Sequence, residues 1–129
     1  MSTSTTKRKK NLLNSEIMSS FAKYFDKIYH DKNYESECKF IIKILNRYQN
    51  SKSKKILDLG CGTGNHSLIL ARKNFDVVGI DKSKTAIKIA KKKAMQSDYS
   101  VRFFMENMTN FFLRKNLMYV YRCFLVCAI

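Results

Sequence analysis

Three glycines within five residues constrain the fold of this chain more than any other feature. Gly60, Gly62 and Gly64 follow the short apolar run 55–59 and precede a helical pattern that begins at Asn65. Glycine permits the sharp turn between a strand and a helix, and it lets a ligand approach the backbone. The following helix offers free N–H groups at its start. Because open α/β sheets bind ligands at the carboxyl ends of their strands, the loop is predicted to be a ligand site.

The hydrophobic pattern predicts a parallel α/β sheet that follows two helices. Helical spacing covers 15–30 and 34–49, and short strand-like and helix-like segments alternate afterwards. The predicted strands are 55–59, 76–81 and 101–104, and the predicted helices between them are 65–73 and 83–95. We therefore predict a Rossmann-like, doubly wound parallel sheet with N-terminal helices, truncated after about three to four strands.

Composition and charge narrow the classes of partner and compartment. The 129 residues carry a formal net charge of +15, but the lysines are scattered, as on a solvated surface. The four cysteines form no C-x-x-C pair, so we expect no metal site. We expect no secretory signal, because residues 1–10 are polar and basic with no apolar region behind them. We expect no membrane partner, because the apolar stretch 117–129 is short and is interrupted by Arg122. A reduced, cytoplasmic protein is predicted.

The glycine loop does not match the common nucleotide-binding fingerprints. The dinucleotide pattern G-x-G-x-x-G fails in both registers, at Asn65 and at Ser67, and no P-loop pattern is present. These departures disfavour NAD, FAD and ATP as the ligand.

An acidic residue follows the second predicted strand. Asp81 lies 21 residues after Gly60, where a carboxylate can accept both hydroxyls of an adenosine ribose. The alternative is a structural role, in which Asp81 caps the helix that starts near Ser83.

Together, segments 56–66 and 77–83 resemble class I S-adenosylmethionine-dependent methyltransferases, and the resemblance covers roughly residues 20–114. It implies S-adenosylmethionine as cofactor, with Asp58 and the glycine loop on the methionine and ribose side and Asp81 on the ribose hydroxyls. No catalytic residue is assigned. The predicted cofactor-binding residues are Asp58, Gly60, Cys61, Gly62, Gly64, Asn65, His66, Asp81, Lys82, Asn107, Met108, Tyr24, Tyr29 and Tyr34.

Five of these residues lie outside the glycine loop and the Asp81 segment. Asn107 replaces the acid that such enzymes often place beside adenine, and its amide oxygen can still accept a hydrogen bond. Met108 is predicted to contact the ring or to be an ordinary core residue. Tyr24, Tyr29 and Tyr34 resemble the lid of small-molecule methyltransferases, and ordinary aromatic packing is the alternative for each.

The resemblance also predicts how the chain is organised into segments. We predict a disordered basic tail over 1–13, an N-terminal helical lid over 14–50, the N-terminal half of a methyltransferase domain over 51–114, and an atypical apolar C-terminus over 115–129. A frameshift would explain this C-terminus. Met118 followed by Tyr119 forces Val in the shifted frame, and A/T-rich codons complete a segment that resembles the family's fourth strand. We expect the chain in its present form to be a weakly active or inactive, poorly stable protein.

The resemblance implies methyl transfer to a small-molecule acceptor, and the nearest match is to enzymes that methylate the amino group of nucleotide-linked sugars. An RNA or protein methyltransferase is an alternative suggested by the positive charge, although the scattered lysines disfavour a nucleic-acid partner. A non-enzymatic binding fragment is a third hypothesis. The chain has no proline, which excludes the Pro-Pro loop of amino-methylating DNA enzymes. The oligomeric state stays open.

Overall fold

A computed structural model describes residues 3–48, 54–107 and 124–127 of the chain. Two helices come first, and strands then alternate with helices. In chain order the described elements are α1 (Thr3–Ile28), α2 (Tyr34–Tyr48), β1 (Lys55–Leu59), α3 (Asn65–Arg72), β2 (Asp76–Asp81), α4 (Lys84–Met95), β3 (Val101–Met105) and β4 (Phe124–Cys127).

The described strands form one parallel sheet in the order β3-β2-β1-β4. Leu57 in β1 lies opposite Val78 in β2 and Leu125 in β4. The predicted parallel α/β architecture with N-terminal helices is confirmed. The chain runs outward from β1 to β3 and returns to the other side of β1 at β4. The strand order therefore reverses at β1, where open α/β sheets bind ligands.

Helices α3 and α4 cover the sheet face to which Ile56 and Phe103 point. Cys38 and Leu45 of α2 join a buried cluster with Ile56, Leu70 and Val77, so α2 is attached through α3 and the sheet by apolar contacts. A second cluster lies nearer the glycine loop and contains Cys61, Ile87, Ala90 and Phe103. The first cluster packs α2 and the second half of α3 against β1 and β2, and the second packs α4 and the glycine loop against β3.

The predicted disordered tail is corrected by the structure. Residues 3–13 continue α1, which contains neither glycine nor proline and is therefore not interrupted. Ile17 and Ile28, two apolar residues of the helical pattern over 15–30, are also not buried, since they are 57% and 58% exposed. Instead α1 faces the domain with Ala22, the one buried residue among those α1 side chains that are described.

Some predictions fall on residues that the structure does not describe. Met108 and most of the atypical C-terminus lie outside the described ranges, and within that C-terminus residues 124–127 form β4 beside β1. Where helices are described, none combines the length and apolar character needed to cross a membrane.

Candidate functional site

The glycine loop makes a tight turn at the carboxyl end of β1. Gly60, Gly62 and Gly64 all have positive φ, at +69°, +57° and +85°. The N–H groups of Gly60 and Cys61 both donate to the carbonyl oxygen of Ile80, at 2.9 and 3.0 Å, which ties the turn to the end of β2. The left-handed conformations explain why glycine is required here.

The glycines differ in what surrounds them. A Cβ built on Gly60 or Gly62 would meet no described atom within 4 Å, whereas one on Gly64 would lie 2.6 Å from the Phe103 ring. A Cβ on Gly79 in β2 would lie 2.7 Å from the same ring. Gly64 and Gly79 therefore allow Phe103 to pack closely, while Gly60 and Gly62 leave open space beside the loop.

Asp81 lies beside that open space and holds the loop in place. Its Oδ2 accepts a hydrogen bond from the Gly62 N–H at 3.0 Å, and its Oδ1 accepts one from the Ser83 N–H at 2.8 Å. The N-cap of α4 is Ser83, whose Oγ accepts from the Ala86 N–H at 3.2 Å. Asp81 is therefore not the helix cap, although it orients the capping residue.

The loop, Asp81 and the first two helices enclose a cavity of about 310 Å³, which we call the glycine-loop cavity. One wall is loop backbone and the Asp81 carboxylate, and the opposite wall is aromatic. The lining residues are Phe21, Ala22, Phe25, Tyr29, Lys32, Tyr34, Gly60, Cys61, Gly62, Thr63, Asn65, His66, Asp81, Ser83 and Ala86.

The structure brings together eight of the fourteen residues predicted to bind a cofactor. These are Tyr29, Tyr34, Gly60, Cys61, Gly62, Asn65, His66 and Asp81. Five others do not line the glycine-loop cavity: Asp58 is buried at the base of the loop, Gly64 lies against Phe103, and Lys82, Asn107 and Tyr24 are exposed. Tyr24 is 60% exposed because it lies on the side of α1 that faces away from the domain. Met108 is not among the described residues.

Asp58 is completely buried at the base of the loop. Its Oδ2 accepts a hydrogen bond from the Ser67 Oγ at 2.5 Å, and its Oδ1 has no partner among the described residues. Burial raises the pKa of Asp58 to about 6; the Ser67 hydrogen bond and His66 oppose this effect, and the charge of Asp81 adds to it. Asp58 thus fixes the first turn of α3 from below.

His66 is connected to α2. Its Nε2–H donates to Oε2 of Glu37 at 2.6 Å, and its ring meets Tyr34 edge to face, with centroids 5.0 Å apart. The hydrogen bond from His66 is the main cause that lowers the pKa of Glu37. The Tyr34 hydroxyl is buried and has no partner within the described part of the chain. This group joins the start of α2 to the start of α3 at the cavity wall.

Several cavity residues were not predicted as site residues. Phe21 and Phe25 belong to the helical pattern over 15–30, and together with Tyr29 they form a run of contacting rings with centroids 5.5 and 4.7 Å apart. Thr63 lies between Gly62 and Gly64, and this position in the loop could have identified it as a site residue from the sequence. Asp26 and Lys93, which join α1 to the loop, follow no motif in the sequence.

The glycine-loop cavity suits a small molecule with an apolar, planar part and a hydroxylated part. The aromatic wall favours a ring, and the Asp81 carboxylate favours hydroxyl donors. Across the described ranges, no group of three His, Cys, Asp or Glu side chains is arranged to hold a metal ion.

Comparison with known proteins gives consistent results. The family described as methyltransferase domain matches residues 50–118, more than half of the chain. A protein of Geobacillus sp. (strain WCH70) named as a methyltransferase is 39% identical over 90 residues, which are 70% of this chain and 36% of that protein. The carboxy-S-adenosyl-L-methionine synthase of Campylobacter hominis is 35% identical over 79 residues, covering 60% of this chain and 33% of the synthase.

A solved structure agrees with the sequence matches. The S-adenosylmethionine-dependent methyltransferase from Clostridium acetobutylicum ATCC 824 is 28% identical, with a TM-score of 0.57, over 70% of this chain and 37% of that chain. This chain spans about a third of the length of the curated relatives it matches.

Proposed function

Because the chain belongs to the methyltransferase-domain family, we propose that its glycine-loop cavity binds S-adenosylmethionine for methyl transfer to a small-molecule acceptor. One observation carries the proposal. Asp81 ends β2 and lines the cavity beside the space that Gly60 and Gly62 leave open. A carboxylate at this place is suited to the ribose hydroxyls of an adenosine-containing cofactor.

The residues present fit this group. Each Asp81 oxygen accepts a backbone hydrogen bond, and a carboxylate oxygen has a second lone pair for a ribose hydroxyl. The open space at Gly60 and Gly62 gives the cofactor access to the loop backbone. Tyr29 and Tyr34 would cover it from the helical side.

The cofactor supplies an already activated methyl group when it is bound. The contribution of this chain is therefore to hold the reactants in line and to exclude water. The aromatic run from Phe21 to Tyr29 would help to exclude water. His66 already donates its Nε2–H to Glu37, so we assign it to the cavity wall and assign no catalytic base.

We propose a small molecule as the methyl acceptor, and the amino group of a nucleotide-linked sugar is the most specific candidate. The resemblance of the N-terminal helices to the lid of small-molecule methyltransferases supports it. Cytoplasmic location belongs to the same proposal.

RNA is a second candidate acceptor, supported by the net charge of +15. One relative, the 23S rRNA (uracil(747)-C(5))-methyltransferase of Pyrococcus abyssi, is 38% identical over 53 residues. Binding to RNA would weaken steeply with added salt because phosphate contacts release counterions. Binding of a small acceptor would change little.

Calorimetric titration of the full chain with S-adenosylhomocysteine tests the proposal. We expect saturable one-to-one binding, and we expect Asp81→Ala to weaken it by about tenfold or more. Asp98→Ala is the matched control, since it makes the same change at an exposed residue outside the cavity. Binding that is absent in the unmodified chain, or equal in the two variants, would contradict the proposal.

A further inference from the structure

Helix α1 forms one wall of the glycine-loop cavity, but it has little apolar attachment to the domain. Ala22 is its one buried residue among the described side chains, whereas α2 inserts Cys38 and Leu45, each 1% exposed, into the core. Burial of one alanine side chain stabilises only weakly. The polar contacts of α1 therefore have a large part in determining where it lies.

Most of these polar contacts converge on Asp26, at the centre of the cavity-lining stretch. Its Oδ1 accepts hydrogen bonds from the Thr63 Oγ1 at 2.6 Å and the Asn65 Nδ2 at 2.8 Å. Its Oδ2 lies 2.5 Å from the Lys93 Nζ. One carboxylate thus joins α1 to the glycine loop and to α4.

Lys93 closes this arrangement from α4. Besides Asp26, its ammonium group donates to the Asn65 Oδ1 at 2.9 Å and to the Thr63 carbonyl oxygen at 3.2 Å. All three ammonium protons have an acceptor. Burial raises the pKa of Asp26, but the hydrogen bonds from Lys93, Thr63 and Asn65 outweigh it and the pKa is lowered.

Neither Asp26 nor Lys93 lines the glycine-loop cavity, yet the neighbours of Asp26 on α1 do. Phe25 precedes it, and Phe21 and Tyr29 lie on adjacent turns. A shift of α1 at Asp26 would therefore move the aromatic wall.

We propose that Asp26 and Lys93 are positioning residues that hold α1 over the glycine-loop cavity and thereby set the affinity for S-adenosylmethionine without contacting it. The inference rests on the proposed function for its ligand. The attachment of α1 itself has a ligand-free readout, since Cys61 lies in the cavity wall and is 6% exposed. Cys38 is an internal reference because it is buried between α2 and α3, away from α1.

The experiment compares Asp26→Ala and Lys93→Met with the unmodified chain. Iodoacetamide labelling of Cys61 and Cys38, followed by peptide mass spectrometry, measures cavity opening in the absence of ligand. We expect Cys61 labelling to accelerate by about tenfold or more in both variants, and the dissociation constant for S-adenosylhomocysteine to rise to a similar extent. Cys38 labelling should stay unchanged.

Two further variants sharpen the result. Lys92→Met removes a neighbouring exposed lysine of α4 and should behave like the unmodified chain. The double variant Asp26→Ala, Lys93→Met should be no worse than Asp26→Ala alone, because the contact of Lys93 with α1 described above is made through Asp26.

Each outcome bears on the proposal. Unchanged Cys61 labelling, or an equal acceleration at Cys38, would overturn it, since the second result indicates loss of the fold rather than release of α1. A third result separates this inference from the proposed function. If Asp26→Ala accelerates Cys61 labelling but even the unmodified chain does not bind S-adenosylhomocysteine, the proposed function fails while the attachment of α1 through Asp26 stands.

Discussion

At the scale of single residues, the glycines of the site divide into two groups. Gly62 adopts φ +57° next to open cavity space, whereas Gly79 has ordinary backbone geometry and lies against Phe103 and Cys61. The first glycine keeps room for a ligand, and the second keeps room for the core. The same residue type therefore has opposite consequences for binding and stability.

We expect Gly62→Ala to weaken S-adenosylhomocysteine binding much more than it destabilises the fold. Its methyl group would enter the space proposed for the cofactor, while the left-handed backbone costs about 1 kcal/mol. Gly79→Ala should instead destabilise the fold by about 1–3 kcal/mol, because the methyl group overpacks against Phe103. Calorimetric titration and urea denaturation measure the two effects.

Phe103→Leu provides the control for this pair. It should partly restore the stability of Gly79→Ala, since both residues share one contact. It should leave the effect of Gly62→Ala unchanged. A Gly62→Ala chain that binds as tightly as the unmodified one would show that the open space is not the ligand site.

At the scale of elements, α1 consists of two different parts. Side chains 5–17 are all exposed, while the stretch from Ser19 to Asp26 contacts the loop and α4. The Ser19 Oγ lies 2.6 Å from the Thr85 Oγ1 at the start of α4. A helical stretch as short as the exposed part 5–17 is marginal in water by itself, so the two parts of α1 should differ in stability.

Amide hydrogen exchange should therefore separate the two parts of α1. We expect residues 5–17 to exchange much faster than residues 20–28, and α3 to exchange most slowly because it joins the buried core. Exchange followed by mass spectrometry at neutral pH is sufficient. Equal protection along the whole of α1 would contradict this expectation.

At the scale of the whole molecule, one buried carboxyl makes the stability depend on pH. Folded Asp58 keeps its proton up to about pH 6, whereas the unfolded residue has the ordinary value of 3.8. The folded state binds more protons between these values, so Asp58 makes the free energy of unfolding fall as pH rises through this window. A difference of about two pH units corresponds to about 3 kcal/mol.

Asp58→Asn should remove this dependence, because an amide has no charged form. The quantity to follow is the difference in free energy of unfolding, variant minus unmodified chain. We expect this difference to rise by up to about 3 kcal/mol between pH 4 and pH 7. Urea denaturation at several pH values measures it. Asp98→Asn, at an exposed site, should show no such change. If the difference for Asp58→Asn stays constant over this pH range, the pKa of folded Asp58 is not raised.

The alternation of short apolar runs and helical spacing was enough to predict the order and bounds of the elements from α2 to β3, because these patterns reflect local burial. The loop glycines and Asp81 were also predictable, since tight turns and strand-end acids depend on residues near one another in the chain. The extent of α1 could not be predicted, because a basic segment without glycine or proline is compatible with either a helix or disorder.

The sequence by itself determined the strands β1 to β3, the glycine loop and the membership in the methyltransferase-domain family, because each depends on a local pattern or a short motif. Only the tertiary structure decided which face of α1 meets the domain, that Tyr24 lies outside the cavity, and that Asp26 meets Thr63, Asn65 and Lys93. Asp26 is 37 residues from Thr63, and a hydrogen bond over that separation leaves no periodic trace in the sequence. It forms only after α1, the loop and α4 have been brought together by the folded sheet.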